Sequence, residues 1–210
     1  MKLNRSCFMA QHLFDKMYKQ GFHRNDEIDF VLKYIPDLSY LKTRVPGEYY
    51  GNVLDVGCTE SLLIYEIESR GFLPIGVDIR PYHTDLPKYS VFFQKDITSK
   101  ETILLLKQYK IDYVVALSSV EHIGLDTYDG KIMPDGDRLA LENINKVLDD
   151  DGLFVITVPT KLWQTDSGRG YTPREFKKLI SGLFDIYEIT QGGGQICACL
   201  IKSDGTYLKP

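Results

Sequence analysis

The chain lacks a large excess of charge of either sign. Its 25 Lys and Arg stand against 29 Asp and Glu, a formal net charge of −4. Binding to a phosphate backbone draws on a basic surplus that is missing here, so nucleic acid is not an expected partner. Long apolar runs are also missing: none approaches the ~18 residues of a membrane span. The first residues, Met1-Lys2-Leu3-Asn4-Arg5, lack the apolar stretch of a secretory leader. A cytoplasmic location is the expectation. Cysteine is scarce, and the four at 7, 58, 197 and 199 are spaced for neither a disulfide framework nor a metal site. Cys197 and Cys199 sit two apart in an apolar run, so they read as small core residues on one face of a strand.

What is present is ordinary globular composition, 43% hydrophobic and 26% charged over 210 residues, enough for one domain with a full core and a short extension. Residues 1–50 read as an N-terminal helical cap. Phe8, Met9, His12, Leu13, Asp15, Lys16 and Tyr18 predict an amphipathic helix from Cys7 to Lys19. Asn25 or Asp26 can cap a second helix that carries Ile28, Val31, Leu32 and Ile35 and stops before Pro36, and Lys42 to Tyr50 is a connection. Residues 51–210 alternate strand and helix. Strands are expected at Asn52–Val56, Leu73–Val77, Val91–Gln94, Tyr113–Leu117 and Leu153–Val158; helices near Ser61–Arg70, Lys100–Lys107, Asp137–Leu148 and Thr172–Ser181. Two closing apolar runs, Phe184–Thr190 and Gln195–Lys202, joined through Gly192-Gly193-Gly194, predict an antiparallel hairpin. Such alternation implies a doubly wound, mostly parallel α/β sheet with helices on both faces.

The most informative stretch is Val53-Leu54-Asp55-Val56-Gly57, a buried strand entering a glycine turn before a helix. Backbone N–H groups at such a turn face the crevice where α/β sheets bind nucleotides. Asp78 ends the next apolar run, where a carboxylate can accept both ribose hydroxyls of an adenosine. A dinucleotide needs G-x-G-x-x-G for its pyrophosphate, whereas this loop is Gly57-Cys58-Thr59-Glu60-Ser61, with the first glycine alone and an acid at Glu60. S-adenosylmethionine, with adenosine, a sulfonium and no phosphate, suits that loop better than NAD.

In these segments the chain resembles the class I S-adenosylmethionine-dependent methyltransferases, from Asn52 to Lys202. The resemblance rests on Val53–Ser61, Gly76-Val77-Asp78-Ile79-Arg80, Gln94-Lys95-Asp96-Ile97, Ser118-Ser119-Val120-Glu121-His122-Ile123, and Asp149-Asp150-Asp151-Gly152 as the turn before the fifth strand. It implies a Rossmann-like seven-stranded sheet with an antiparallel last strand. The run Ser119 to Leu125 followed by Pro134-Asp135-Gly136-Asp137 resembles a subgroup associated with surface-polysaccharide and glycan biosynthesis. The departure is Thr59 and Ser61 in place of the second and third loop glycines.

The resemblance places Asp55 and the backbone of Gly57, Cys58, Thr59, Glu60 and Ser61 around the amino-acid end of the cofactor. It places Asp78, Ile79 and Arg80 at the ribose, Asp96 and Ile97 at the adenine, and Ser118 and Ser119 beside them after the fourth strand. Imidazole exchanges a proton near neutral pH, so His122 is the candidate base for a hydroxyl acceptor, or else a structural residue of its loop; Glu121 can orient it or bind the cofactor. A metal-dependent variant of the class carries a glutamate where Ser118 stands. Asp126, Asp129, Asp135 and Asp137 read as a solvated loop, and no metal is assigned. The long loop Gly124 to Gly136 offers Tyr128, Met133 and Asp135 to an acceptor; Trp163, Thr165 and Tyr171 follow the fifth strand beside it, where aromatic rings can pack on a sugar or planar acceptor, or Trp163 can serve as a packing residue. The function implied is O-methylation of a sugar or other hydroxylated small molecule by a monomer or homodimer. The alternatives are N- or C-methylation of a metabolite, a silent cofactor-binding scaffold, and an NAD enzyme.

Overall fold

The computed structural model describes residues 24–39, 48–60, 63–82, 85–126, 128 and 132–203. The expected helix Cys7–Lys19, with Tyr18, and also His23, Ser61 and Asp129, lie outside the described residues, as does the Glu60 side chain. Seven strands form one sheet: β1 (Asn52–Val56), β2 (Leu73–Asp78), β3 (Val91–Gln94), β4 (Ile111–Leu117), β5 (Leu148–Pro159), β6 (Phe184–Gly192) and β7 (Gln195–Lys202). Their order is β3-β2-β1-β4-β5-β7-β6. The first five are mutually parallel, while β7 runs antiparallel to both β5 and β6. The chain therefore starts in the middle of the sheet and reverses direction between β1 and β4, which leaves a crevice at their carboxyl ends.

Alternation along the strands divides the core between two faces. Val53, Val115, Val155 and Cys199 turn to one face, where they pack with α1 (Arg24–Leu32) through Val31 and with α2 (Leu63–Ser69) through Leu63 and Ile67. Their neighbours Leu54, Val114, Phe154, Ile156, Ala198 and Leu200 turn to the other. That face is covered by α3 (Lys100–Leu106), α4 (Gly136–Val147) and α5 (Pro173–Ile180), through Ile103, Ile144 and Phe176. Each fully buried Val, Leu, Ile or Phe among these contributes about 1.5–3 kcal/mol of transfer free energy. The last helix is set by its first turn: Thr172 accepts from the Glu175 N–H, Glu175 accepts from the Thr172 N–H, and Pro173 opens the helix.

Two boundaries differ from the sequence expectation by three residues or more. The helix expected to begin after Asn25 or Asp26 starts at Arg24 and ends at Leu32. Ile35 lies beyond it, still fully buried, because the residue before a proline is driven out of the α conformation. The fifth strand starts at Leu148, earlier than Leu153, and Asp149-Asp150-Asp151-Gly152 is drawn into it as an irregularity: Ile111 pairs with Leu148 but Tyr113 pairs with Leu153. A Cβ on Gly152 would sit 2.5 Å from the Leu148 side chain, so glycine is what allows the chain to fold back there.

Candidate active site

At the end of β1, Gly57 turns the chain with φ +77°, a left-handed conformation that costs an L side chain about 1–2 kcal/mol. Space also demands glycine, since a Cβ would come within 2.4 Å of the Ser119 Cβ. Ser119 in turn donates its hydroxyl to the Val56 carbonyl at 2.8 Å, tying the segment after β4 to the end of β1. A 3-10 turn, Cys58–Glu60, follows. The Cys58 thiol points beneath it, 2.7 Å from where a Cβ on Gly76 would stand. Burial, reinforced by the Asp55 and Asp78 charges, pushes that thiol well above the usual range, which makes it a packing group and not a nucleophile.

Asp55 is buried in β1, paired in register with Gly76 and Val115. Asp78 is buried at the end of β2. Its carboxylate accepts from the Thr59 N–H at 3.0 Å and the Arg80 N–H at 2.9 Å. The Arg80 guanidinium adds longer contacts at 3.3 and 3.4 Å. Ile79 accepts from the Gln94 side-chain amide at 3.3 Å. Asp96 closes β3 with a local turn, accepting from the Thr98 N–H and hydroxyl at 2.8 and 2.7 Å. Ile97 is buried, and its carbonyl is held by the Asn143 amide of α4 at 3.0 Å.

Beyond β4 the contacts become long-range. Ser118 has φ +44°, a left-handed non-glycine residue, and its N–H donates to the Thr157 carbonyl and hydroxyl at 3.1 and 3.0 Å. The 3-10 turn Val120–His122 then carries the acid and imidazole. Glu121 is buried, and its Oε1 stands 3.8 Å from His122 Nε2. His122 Nδ1 lies 2.5 Å from the Ser167 carbonyl. A carbonyl only accepts, so Nδ1 carries the hydrogen and Nε2 is the basic nitrogen of the neutral ring. Gly168 lets that loop approach, since a Cβ there would meet His122 Cε1 at 3.0 Å.

The loop from Gly124 to Gly136 is pinched at its base. Gly124, at φ +81°, and Gly136 pack back to back, with a Cβ on either meeting the other's Cα at 2.8 and 2.6 Å. Arg169 fastens the base by donating to the carbonyls of Ile123 at 2.7 Å, Pro134 at 3.1 Å, and Glu121 and Met133 at 3.3 Å. Met133 thus enters this knot through its backbone, and Asp135 stands exposed at the start of α4. Tyr128, at φ +69°, reaches back over the crevice: the Arg80 guanidinium lies 4.0 Å from its ring centre, and the His122 ring meets it nearly edge-on at 5.5 Å.

One aromatic expectation changes. Tyr171, expected to offer a ring to an acceptor, is buried, and its hydroxyl donates to Asp137 at 2.8 Å. Burial first, then the Asp137 charge, raises its pKa. Trp163 is half exposed with its indole edge against Gly194 of the β6–β7 turn, and Thr165 closes a small turn with Gly168. Among the described residues no group of three or more His, Cys, Asp or Glu side chains is arranged to hold a metal ion, and no helix is long and apolar enough to cross a membrane.

Sequence reasoning missed Glu27, Thr157, Asn143 and Arg169. For Glu27 a signal existed. It shares an i, i+4, i+8 face with Val31 and Ile35, both fully buried, so a charge stood on an apolar stripe. Its Oε2 accepts from the hydroxyls of Thr157 and Ser118.

A doubly wound sheet with a glycine turn at its switch point and a carboxylate closing the next strand defines a Rossmann-like cofactor-binding protein. Within that class the chain belongs to the methyltransferase-domain family, whose model matches residues 22–185 and so takes in α1. Comparison with curated proteins finds no match. Among solved structures, it is similar to an S-adenosylmethionine-dependent methyltransferase from Clostridium acetobutylicum: 13% identity, TM-score 0.60, 95% of this chain and 100% of that one. A TehB-like S-adenosylmethionine-dependent methyltransferase from Corynebacterium glutamicum is 17% identical, with TM-score 0.55 over 86% and 100% of the two chains. Human N-acetylserotonin methyltransferase, solved with S-adenosylmethionine, is 15% identical, with TM-score 0.56 over 79% of this chain and 51% of that one. At these identities the likeness is one of fold.

Proposed function

We propose that this protein is an S-adenosylmethionine-dependent methyltransferase that acts on a hydroxyl of a sugar or another small molecule. The donor set supports the cofactor. Two backbone N–H groups orient the Asp78 carboxylate, and its longer contacts to a partly exposed Arg80 can yield to ribose hydroxyls. Asp55 and the Gly57 turn would receive the amino-acid end, and Asp96 and Ile97 the adenine. The turn offers no cationic side chain for a pyrophosphate, which favours this cofactor over NAD. Bound there, S-adenosylmethionine supplies a methyl group already activated on a sulfonium.

The observation that carries the O-directed reading is the fixed His122 tautomer. With Nδ1 committed to Ser167, Nε2 is the atom that takes a proton from a hydroxyl, and Glu121 beside it stabilises the resulting imidazolium. Ser119 and Gly57 hold this turn against the end of β1, so base and cofactor loop keep a constant separation. Tyr128 crosses over the same crevice and supplies a ring on which a sugar face can pack. The resemblance to glycan-associated chains makes nucleotide-sugars the first acceptors to screen.

The test is calorimetric titration with S-adenosylhomocysteine, followed by methyl transfer to a nucleotide-sugar panel. Micromolar binding that Asp78→Ala abolishes is the expected result, and a folded protein that binds nothing would sink the reading. Once an acceptor is found, His122→Ala should lower kcat about a hundredfold or more while S-adenosylhomocysteine affinity holds. Retained turnover would move the assignment to N- or C-methylation.

A further inference from the structure

Glu27 of α1 is only 5% exposed. Its Oε2 accepts from the Thr157 hydroxyl at 2.7 Å and the Ser118 hydroxyl at 3.1 Å. Both partners sit at the carboxyl ends of their strands, where Leu117 pairs with Thr157 and Ser118 follows directly. The next residue, Ser119, is the one packed on Gly57. Glu27 thus lies beside the cofactor turn's own packing partner. It lies on the β4–β5 side of the sheet, opposite the β2–β3 side that carries Asp78 and Asp96.

A buried carboxylate is costly unless a cation or several donors meet it. Among the described residues no Lys, Arg or His side chain forms an ion pair with Glu27. Two neutral hydroxyls on one oxygen hold α1 to the sheet, and the amide oxygen of a glutamine could accept the same two bonds. Attachment of the helix therefore explains the position of the side chain but not its charge.

We propose that Glu27 is the acceptor-side carboxylate of the site, a specificity-determining group that receives a cation brought by the acceptor. The acceptor class it selects is a hydroxylated small molecule that also bears a protonated amine. Glu27 accepts the ammonium while His122 Nε2 faces the hydroxyl. This rests on the methyltransferase reading, which defines the β4 end as the place of methyl transfer.

Sinefungin brings a cation to the acceptor side without an acceptor, because its ammonium projects from the position of the transferable methyl towards the acceptor, whereas S-adenosylhomocysteine is neutral there. Both are titrated by calorimetry into wild type and Glu27→Gln, with thermal melts as the check on folding. Glu27→Gln should weaken sinefungin about tenfold or more and leave S-adenosylhomocysteine within about twofold. A variant that binds both as wild type does, or loses both alike, overturns the proposal and leaves Glu27 as a helix attachment. If Glu27→Gln does not fold, Glu27→Asp takes its place: a carboxylate drawn back by one methylene should weaken sinefungin about threefold or more and leave S-adenosylhomocysteine within about twofold, and an equal change in both overturns the proposal. Wild type that binds neither compound overturns the methyltransferase reading itself, and this assignment with it.

Discussion

The two halves of the crevice are built by different means. On the side of β1, β2 and β3 the two acids rest on short turns: Asp78 takes the N–H two residues on together with that of Thr59 in the cofactor turn, and Asp96 takes that of Thr98. On the side of β4 and β5 the partners come from far along the chain. Glu27 reaches Thr157 across 130 positions, His122 reaches Ser167 across 45, and Arg169 reaches Ile123 across 46. A donor site of constant shape can be coded in short local turns. An acceptor site assembled from distant loops can change with any one of them, which is how one fold serves many acceptors.

The largest effect should come from breaking the point where the halves touch. Gly57→Ala forces an L residue to φ +77° and drives a Cβ to 2.4 Å from Ser119. Strain and overpacking together cost on the order of 3 kcal/mol. S-adenosylhomocysteine affinity should fall more than a hundredfold and the melting temperature by several degrees. Calorimetry that finds near-normal binding would mean the turn and the β4 segment are not packed as one unit.

Arg169→Ala attacks the acceptor side alone. It removes the guanidinium that joins Ile123, Met133 and Pro134 and stands 3.7 Å from Asp137. Orphaned carbonyls and an uncompensated acid cost about 2–3 kcal/mol, or roughly 5–10 °C in melting temperature for a domain of this size. Donor binding should change less than threefold, because Asp78 and Asp96 keep their local partners. A matching loss of S-adenosylhomocysteine affinity would erase the distinction between the two halves.

That distinction also explains what could be read from the residues. The strand positions, the glycine turn and the place of Asp78 at the end of its strand follow from periodicity and neighbours a few residues away, so they were legible, while Asp96 came from the family resemblance. Tyr171 was misjudged because its burial depends on Asp137, 34 positions earlier, and nothing local marks that meeting. Arg169 lies between two glycines in what reads as a solvated loop, yet its charge is consumed by carbonyls of another loop. Glu27 was legible in principle, as a charge on the Val31–Ile35 face. Its partners were not, because Thr157 hides in an apolar strand whose hydroxyl has no sequence signature.

The smallest effect concerns the second tie of the α1 region, which is exposed where Glu27 is buried. Lys33 Nζ bonds both oxygens of Glu188 on β6 at 2.7 and 2.6 Å, and the Tyr34 hydroxyl donates to the same carboxylate at 2.5 Å. Lys33, then Tyr34, holds the Glu188 carboxyl below its ordinary value. A depressed folded-state pKa means the unfolded chain takes up the proton first as pH falls. The contribution is therefore present above about pH 4.5 and lost as pH falls through the folded value. The Tyr34 hydroxyl has the opposite sign: burial, then the bond to Glu188, pushes it up to about 12. Its contribution is present below about pH 10 and lost as pH rises through 12. The tie thus works in a window between these limits. Glu188→Gln should lower the melting temperature by at most a few degrees at pH 7, and its curve should converge on that of wild type as pH falls through the folded value. Parallel curves across the acid limb would mean that Val31 and Ile35 hold this region by packing alone, leaving Glu27 as its one consequential charge.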